Sequence, residues 1–274
     1  MMTLRPASDL SPPELLALWN AAYSGYIVPL TFDQPMLDRH IRRGGLDLTR
    51  ALVGVIDGDD FGLSLAAYRD EGGVHRAWIG GFGIAEAFRR RGLATRLMQA
   101  HLDRLDAEGV AEVWLEVIDV NPAREVYRRC GFAEVRELLV LDGAPVAGGL
   151  GHGEDLSAEA LADRHAALNP VRPTWRRDMP TLIDGLEVEG AAAVGVDGGY
   201  AVALEQGERL AVLDAAAADV DAGGRLLGAL AARWPGRPIR IVDEDPASPL
   251  ARACLQAGLS VPLRQVEMTL ARTR

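Results

Sequence analysis

Arg89-Arg90-Arg91-Gly92-Leu93-Ala94-Thr95 is the stretch on which the reading of this chain turns. The apolar run 77–84 before it reads as a strand, and Arg96-Leu97-Met98-Gln99-Ala100-His101-Leu102 after it reads as an amphipathic helix. A short glycine-bearing loop that feeds a helix start is a place for anions. The first backbone N–H groups have no partner inside the helix, and the helix dipole adds partial positive charge. Three arginines add formal charge. The chemistry this spacing points to is a grip on a pyrophosphate.

Outward from the loop, the chain has 274 residues, of which 49% are hydrophobic, enough for one large packed domain or two small ones. The net charge of -10 argues against a general nucleic-acid binder, which needs a basic face, and suits a cationic substrate drawn to an acidic cleft. All 29 basic residues are arginine, which reads as composition bias. Cys130 and Cys254 make no disulfide framework and read as buried thiols. No apolar run is long enough to span a membrane, and the first residues, with Asp9, Pro12 and Pro13, lack the core of a signal peptide. A cytoplasmic monomer or homodimer is the expectation.

A short strand at 3–6 precedes Ser11-Pro12-Pro13-Glu14, a helix start with Ser at the N-cap, Pro at the first position and Glu three residues after the cap. Leu15, Leu16, Leu18, Trp19 and Ala22 follow at helical spacing. Asp33-Gln34-Pro35 opens a second helix with Met36, Leu37 and Ile41 inward. Strands at 51–56 and 61–68, joined by the turn Asp57-Gly58-Asp59-Asp60, lead to the strand at 76–84. Gly81 and Gly83 in that strand suggest a bulge or a splayed edge. After the 94–106 helix come a strand at 113–117, a helix opened by Asn121-Pro122-Ala123 and ended by Cys130-Gly131, and a strand at 132–141. The order β-α-α-β-β-β-α-β-α-β is a mixed α/β pattern.

The glycine-rich run 143–153 reads as a boundary, dividing the chain at 1–145 and 146–274. The second half gives a helix near 156–168, strands near 191–196, 200–204 and 209–213, a helix near 224–233, a strand at 239–242, a helix at 249–256 and a strand at 265–271. It echoes the first: Leu93 to Met98 lies over Ala222 to Leu227, Asn121-Pro122 over Ser248-Pro249, and Gly131-Phe132 over Gly258-Leu259.

The strand Phe82-Gly83-Ile84, the loop Arg89-x-x-Gly92-x-Ala94, and the later run from Asn121-x-Ala123 through Tyr127 to Gly131-Phe132 resemble the GNAT superfamily of acyl-CoA-dependent N-acetyltransferases. The resemblance covers residues 1–141 and implies a mainly antiparallel sheet flanked by helices, with the second half a degenerate copy. It implies acetyl-CoA as co-substrate, with the pyrophosphate held by the amides of Arg89, Arg90, Arg91, Gly92, Leu93, Ala94 and Thr95. A Cβ at Gly92 would obstruct the phosphate; Ala94 stands where many members have glycine. Phe82, Gly83 and Ile84 would pair with the pantetheine arm, and a backbone N–H there would stabilise the thioester oxygen. Tyr127 matches the family's proton donor to the departing thiolate; a thiol pKa of about 8.5 and a phenol of about 10 make the transfer feasible.

Glu116 is the candidate base, because Leu115-Glu116-Val117 stands before Asn121 as it does in the ribosomal-protein alanine acetyltransferases. A strand-end ion pair is the alternative reading. Asn121 is expected to bind the pantetheine arm or to cap its helix. The family's acceptor site uses the first two helices and the loop between them, where Tyr23, Tyr26 and Phe32 serve either packing or contact. The five histidines share no metal-ligand spacing, so no metal is expected. In the second half, Ala218 and Asp221 stand where Arg89 and Gly92 do, Asp219 is also acidic, and Cys254 replaces Tyr127, so no CoA site is expected there. The acceptor implied is a primary amine, of a small molecule before a protein. A non-catalytic acyl-CoA sensor is the competing reading.

Overall fold

A computed structural model describes residues 1–28, 30–145 and 152–271. Most of the glycine-rich run expected as the boundary, residues 146–151, lies outside the described residues. The chain divides into two units, Met1–Val135 with Glu267–Arg274, and Arg136–Val266. The cut falls before residue 145, inside one unbroken strand (Ala133–Gly143), and the chain's last strand contributes from Glu267 onward to the first unit.

In the first unit, β1 (Met2–Pro6), α1 (Pro12–Ala22), α2 (Gln34–Gly44), β2 (Leu52–Ile56), β3 (Asp59–Glu71), β4 (Val74–Ile84), α3 (Leu93–Ala107), β5 (Glu112–Ile118), α4 (Ala123–Arg129) and the start of β6 (Ala133–Gly143) follow in the expected order. The sheet order is β1-β2-β3-β4-β5. The first four strands pair antiparallel, and β4 meets β5 in parallel. α1 begins as its sequence predicts: the Glu14 carboxylate accepts from the backbone N–H (2.8 Å) and the hydroxyl (2.6 Å) of Ser11. Leu15, Leu18, Trp19 and Ala22 are buried against the sheet. In α2 the buried face is set by Leu37 and Gly44, seven residues apart, which turns Met36, expected inward, out to 43% exposure.

Two features of β4 position the site. Its register against β3 runs Leu65 with Gly81 and then Ala66 with Ile79, so Gly80 is the extra residue of a bulge. Its parallel pairing with β5 covers only Arg76–Trp78 against Glu112–Trp114, after which the two strands part. The bulge is thus one residue from where Gly81 was expected to mark it. Gly81 and Gly83 serve packing instead. A Cβ on Gly81 would come to 2.6 Å of the Trp19 ring, and one on Gly83 to 2.9 Å of Ala22. α1 therefore rides directly on β4 over these two glycines.

The second unit carries the rest of β6, then β7 (Glu154–Asp155), α5 (Ala158–Leu168), α6 (Met179–Val188), β8 (Ala192–Val196), β9 (Gly199–Gln206), β10 (Arg209–Ala217), α7 (Val220–Arg233), β11 (Ile239–Glu244), α8 (Pro249–Gln256) and the start of β12 (Ser260–Ala271). From β7 onward the element order repeats that of the first unit. α6 was not expected: it is short and carries Gly185, whose hydrogen faces Leu213 where a Cβ would come to 2.5 Å. Leu226, Leu230, Ile241 and Leu250 anchor an apolar core. Beside it, the buried Arg177 guanidinium donates to Asp214 Oδ1 (2.6 Å), Glu244 Oε2 (2.6 Å) and the carbonyls of Ala215 (2.6 Å) and Asp243 (2.9 Å).

Candidate active site

The loop after β4 is shaped by two residues in the left-handed region, Arg90 (φ 61°) and Gly92 (φ 73°). Gly92 is the N-cap of α3, and no side chain caps that helix. The first helical bond runs from Arg96 N to Gly92 O (3.3 Å), so the amides of Leu93, Ala94 and Thr95 point out of the helix end. A Cβ on Gly92 would meet nothing within 4 Å; the glycine answers first to its backbone angle, and the space above it is open.

Two of the three arginine side chains do other work than their charge suggests. Arg89 donates to the carbonyls of Ile84 (2.9 Å), Ala22 (3.0 Å) and Ser24 (2.6 Å), closing the C-terminal end of α1, where a cation suits the helix dipole. Arg91 donates to Ala87 O (2.9 Å) and lies over the Phe88 ring. Arg89 thus joins the anion loop to the segment that holds Tyr23 and Tyr26.

Where β4 and β5 part, five residues from the sequence reading come together. The Phe82 N–H donates to the Tyr23 hydroxyl (3.1 Å). Tyr23 and Tyr26 meet edge to face at 5.4 Å. The Tyr26 hydroxyl accepts from Asn121 Nδ2 (3.0 Å), while Asn121 Oδ1 accepts from Ala123 N (2.9 Å) at the start of α4. Tyr127, 6% exposed, sets its ring 5.7 Å from Phe82 and 5.8 Å from Phe132. No described residue hydrogen-bonds its hydroxyl. Burial first, then the neighbouring Tyr23 and Tyr26, push the Tyr127 phenol well above its ordinary value. It stays protonated across the physiological range, and it is a weaker acid than the free phenol taken as its measure above.

Phe32 is placed on the wall of this opening. The Asn20 side chain clasps its backbone with two bonds of 2.9 Å, and its ring stacks on Trp19 at 5.1 Å. His40 of α2, passed over in the sequence because it shares no metal-ligand spacing, packs 5.1 Å from Trp19 and holds Gly80 O at 2.8 Å from Nε2. A carbonyl can only accept, so Nε2 carries a proton in this contact. Glu116 Oε2 accepts from Trp78 Nε1 (2.8 Å), and that indole lies 6.3 Å from the His40 ring. No local pattern signals this wall, because its rings come from α1, the segment before α2, α2 itself and β4, and only the fold brings them together.

The second unit differs at each corresponding point. Only Ala218 and Asp219 separate β10 from α7, and the Asp219 carboxylate accepts from Ala222 N (2.7 Å), capping the helix that α3 leaves open. Asp221, read from sequence as a loop acid, lies inside α7. Cys254 is buried, and burial pushes its thiol up to about 12. A cavity of about 220 Å³ lies beside β10, lined by Arg136, Thr174, Ala216, Asp243 and Ser248 among others. Two of its carboxylates are held by cations, Asp243 by Arg176 at 2.9 Å and Glu244 by Arg177 at 2.6 Å.

Residues 15–132 match the family model described as the Acetyltransferase (GNAT) family. A curated relative, N-alpha-acetyltransferase 30 of Schizosaccharomyces pombe, is 33% identical over 86 residues, which is 30% of this chain and 57% of that protein's length. Among solved structures, a GCN5-related N-acetyltransferase from Sphaerobacter thermophilus superposes with a TM-score of 0.70 at 16% identity, covering 98% of this chain and 95% of that one. One from Kribbella flavida gives 0.63 at 18% identity, covering 99% and 71%. At these identities the structural likeness speaks for the fold, and it extends over nearly the whole chain. The stretch that matches the GNAT acetyltransferase family model thus holds the uncapped α3, the bulged β4 and the buried Tyr127.

Proposed function

We propose that the first unit moves an acetyl group from acetyl-CoA to a primary amine by direct attack while both are bound. The observation that carries this is the joining of two features on one strand. The uncapped start of α3 stands at the end of β4, and the opening between β4 and β5 has Tyr127 at its floor. The amides of Leu93, Ala94 and Thr95 fit a pyrophosphate, since they point outward, carry the positive end of the helix dipole and face open space at Gly92. Acetyl-CoA, when bound there, supplies the activated acyl group.

The chain's own residues do the rest. β4 offers the Phe82 N–H to the acyl oxygen as that oxygen gains charge. The acceptor amine loses a proton to Glu116, which Trp78 fixes in place, and the Tyr127 hydroxyl returns a proton to the departing sulfur. Trp19, Phe32 and His40 wall the side on which the amine enters, shielding it from water.

The second unit is proposed as a degenerate copy that takes no CoA, because Asp219 fills the helix end and places a carboxylate where an anion would sit. A small-molecule amine suits the chain's charge of -10. A peptide N-terminus is the second reading, favoured by the match to a relative named as an N-alpha-acetyltransferase. Thiol release from acetyl-CoA, followed across a panel of polyamines, aminoglycosides, amino acids and short peptides, tests the proposal. Release with at least one amine is expected. Binding without release for any amine would turn the reading to an acyl-CoA sensor.

A further inference from the structure

One N–H donor serves one acceptor at full strength, and the Phe82 N–H is already engaged by the Tyr23 hydroxyl at 3.1 Å. This amide faces the opening where β4 leaves β5. Tyr23 is not there by chance of a mobile side chain. Its backbone is held on both sides, by Arg89 through the carbonyls of Ala22 (3.0 Å) and Ser24 (2.6 Å), and its ring is clasped by Trp19 at 4.5 Å and Tyr26 at 5.4 Å. Ser24 is tied again through its hydroxyl to Glu86 Oε2 (3.1 Å), on the turn that leads into the anion loop.

We propose that the Tyr23 hydroxyl stands in for the acyl carbonyl oxygen on the Phe82 amide and that an acyl donor must displace it, which makes Tyr23 a residue that sets acyl-donor affinity. The inference rests on the reading that the first unit takes acetyl-CoA. An acyl carbonyl competes for the amide, whereas free CoA, which has the same phosphates and arm but no carbonyl at its end, does not. Arg89 makes the exchange orderly: the guanidinium that fixes Ala22 and Ser24 belongs to the first residue of the loop that would hold the pyrophosphate.

Titration calorimetry of acetyl-CoA and of free CoA into the full-length chain tests this, with Tyr23→Phe and Tyr26→Phe beside the wild type. Tyr23→Phe keeps the ring and removes the competing oxygen, so acetyl-CoA is expected to bind roughly twofold to tenfold more tightly, the worth of one net hydrogen bond, while free CoA is unchanged. Tyr26→Phe leaves the Phe82 amide engaged and should shift neither ligand relative to the other. A second readout needs no variant: the Phe82 backbone amide resonance of the wild type should move further with acetyl-CoA than with free CoA. Equal effects of acetyl-CoA and free CoA in both measurements overturn the proposal. Wild-type protein that binds neither ligand refutes the underlying reading instead.

Discussion

Replacing Gly92 by alanine separates the two duties assigned to that residue. Its φ of 73° puts a Cβ in the left-handed region, which costs about 1–2 kcal/mol. No steric term adds to this, because the new methyl would meet no atom within 4 Å. The loss should appear as a fall of roughly 2–8 °C in the melting temperature of the unloaded chain. Binding should suffer separately, since the methyl then occupies the open space over the α3 amides. At a ligand concentration of about 100 Kd, acetyl-CoA would raise wild-type stability by about 2.7 kcal/mol, and this increment should shrink or vanish in the variant. The assay is thermal unfolding of wild type and Gly92→Ala, each with and without acetyl-CoA. An unchanged melting temperature would refute the strain argument. An undiminished increment would refute the assignment of the anion grip to this loop.

Tyr127→Phe should lower kcat by about a hundredfold or more while acetyl-CoA affinity stays near the wild-type value; an unchanged rate removes Tyr127 from the mechanism. His101 is buried on α3 with Nδ1 2.6 Å from Ser64 Oγ, and burial depresses its pKa to about 4. Its unfolded value is about 6.5, so the neutral ring favours the fold above that pH, and the stability is lost as pH falls toward 4, to roughly 3 kcal/mol in all. The stability gap between wild type and His101→Gln in urea should therefore narrow between pH 6.5 and 4, and a constant gap would contradict the assignment. Arg177→Met leaves the Asp214 and Glu244 carboxylates buried without their cation and should cost about 3–5 kcal/mol in urea unfolding. A loss below about 1 kcal/mol would show that the network is not what holds that corner of the second unit.

Local signals carried most of the fold into view from the sequence. The Ser11 to Glu14 start of α1, the Asp57-Gly58 turn with both residues at positive φ, and the Gly131 stop after α4 are each decided within a few residues, and each is found where those residues put it. α6 was illegible because Gly185 weakens the helical pattern, and what calls for a glycine there is the close approach of Leu213 from far along the chain. The bulge at Gly80 was displaced from the expected Gly81 for a similar reason: which glycine takes the extra residue depends on where Trp19 of α1 needs room. In the site, Gly92 and Tyr127 could be named from motif and spacing. The engagement of Phe82 by Tyr23, of Trp78 by Glu116 and of α1 by Arg89 could not, since these pairs lie 59, 38 and 65 to 67 residues apart and follow no period.

The number of acetyl-CoA molecules bound per chain tests the central claim most directly. The first unit leaves the start of α3 uncapped, and the second closes the start of α7 with Asp219. Calorimetric titration of the wild-type 274-residue chain should give one site. Two sites, or no binding by folded wild-type protein, would contradict the account.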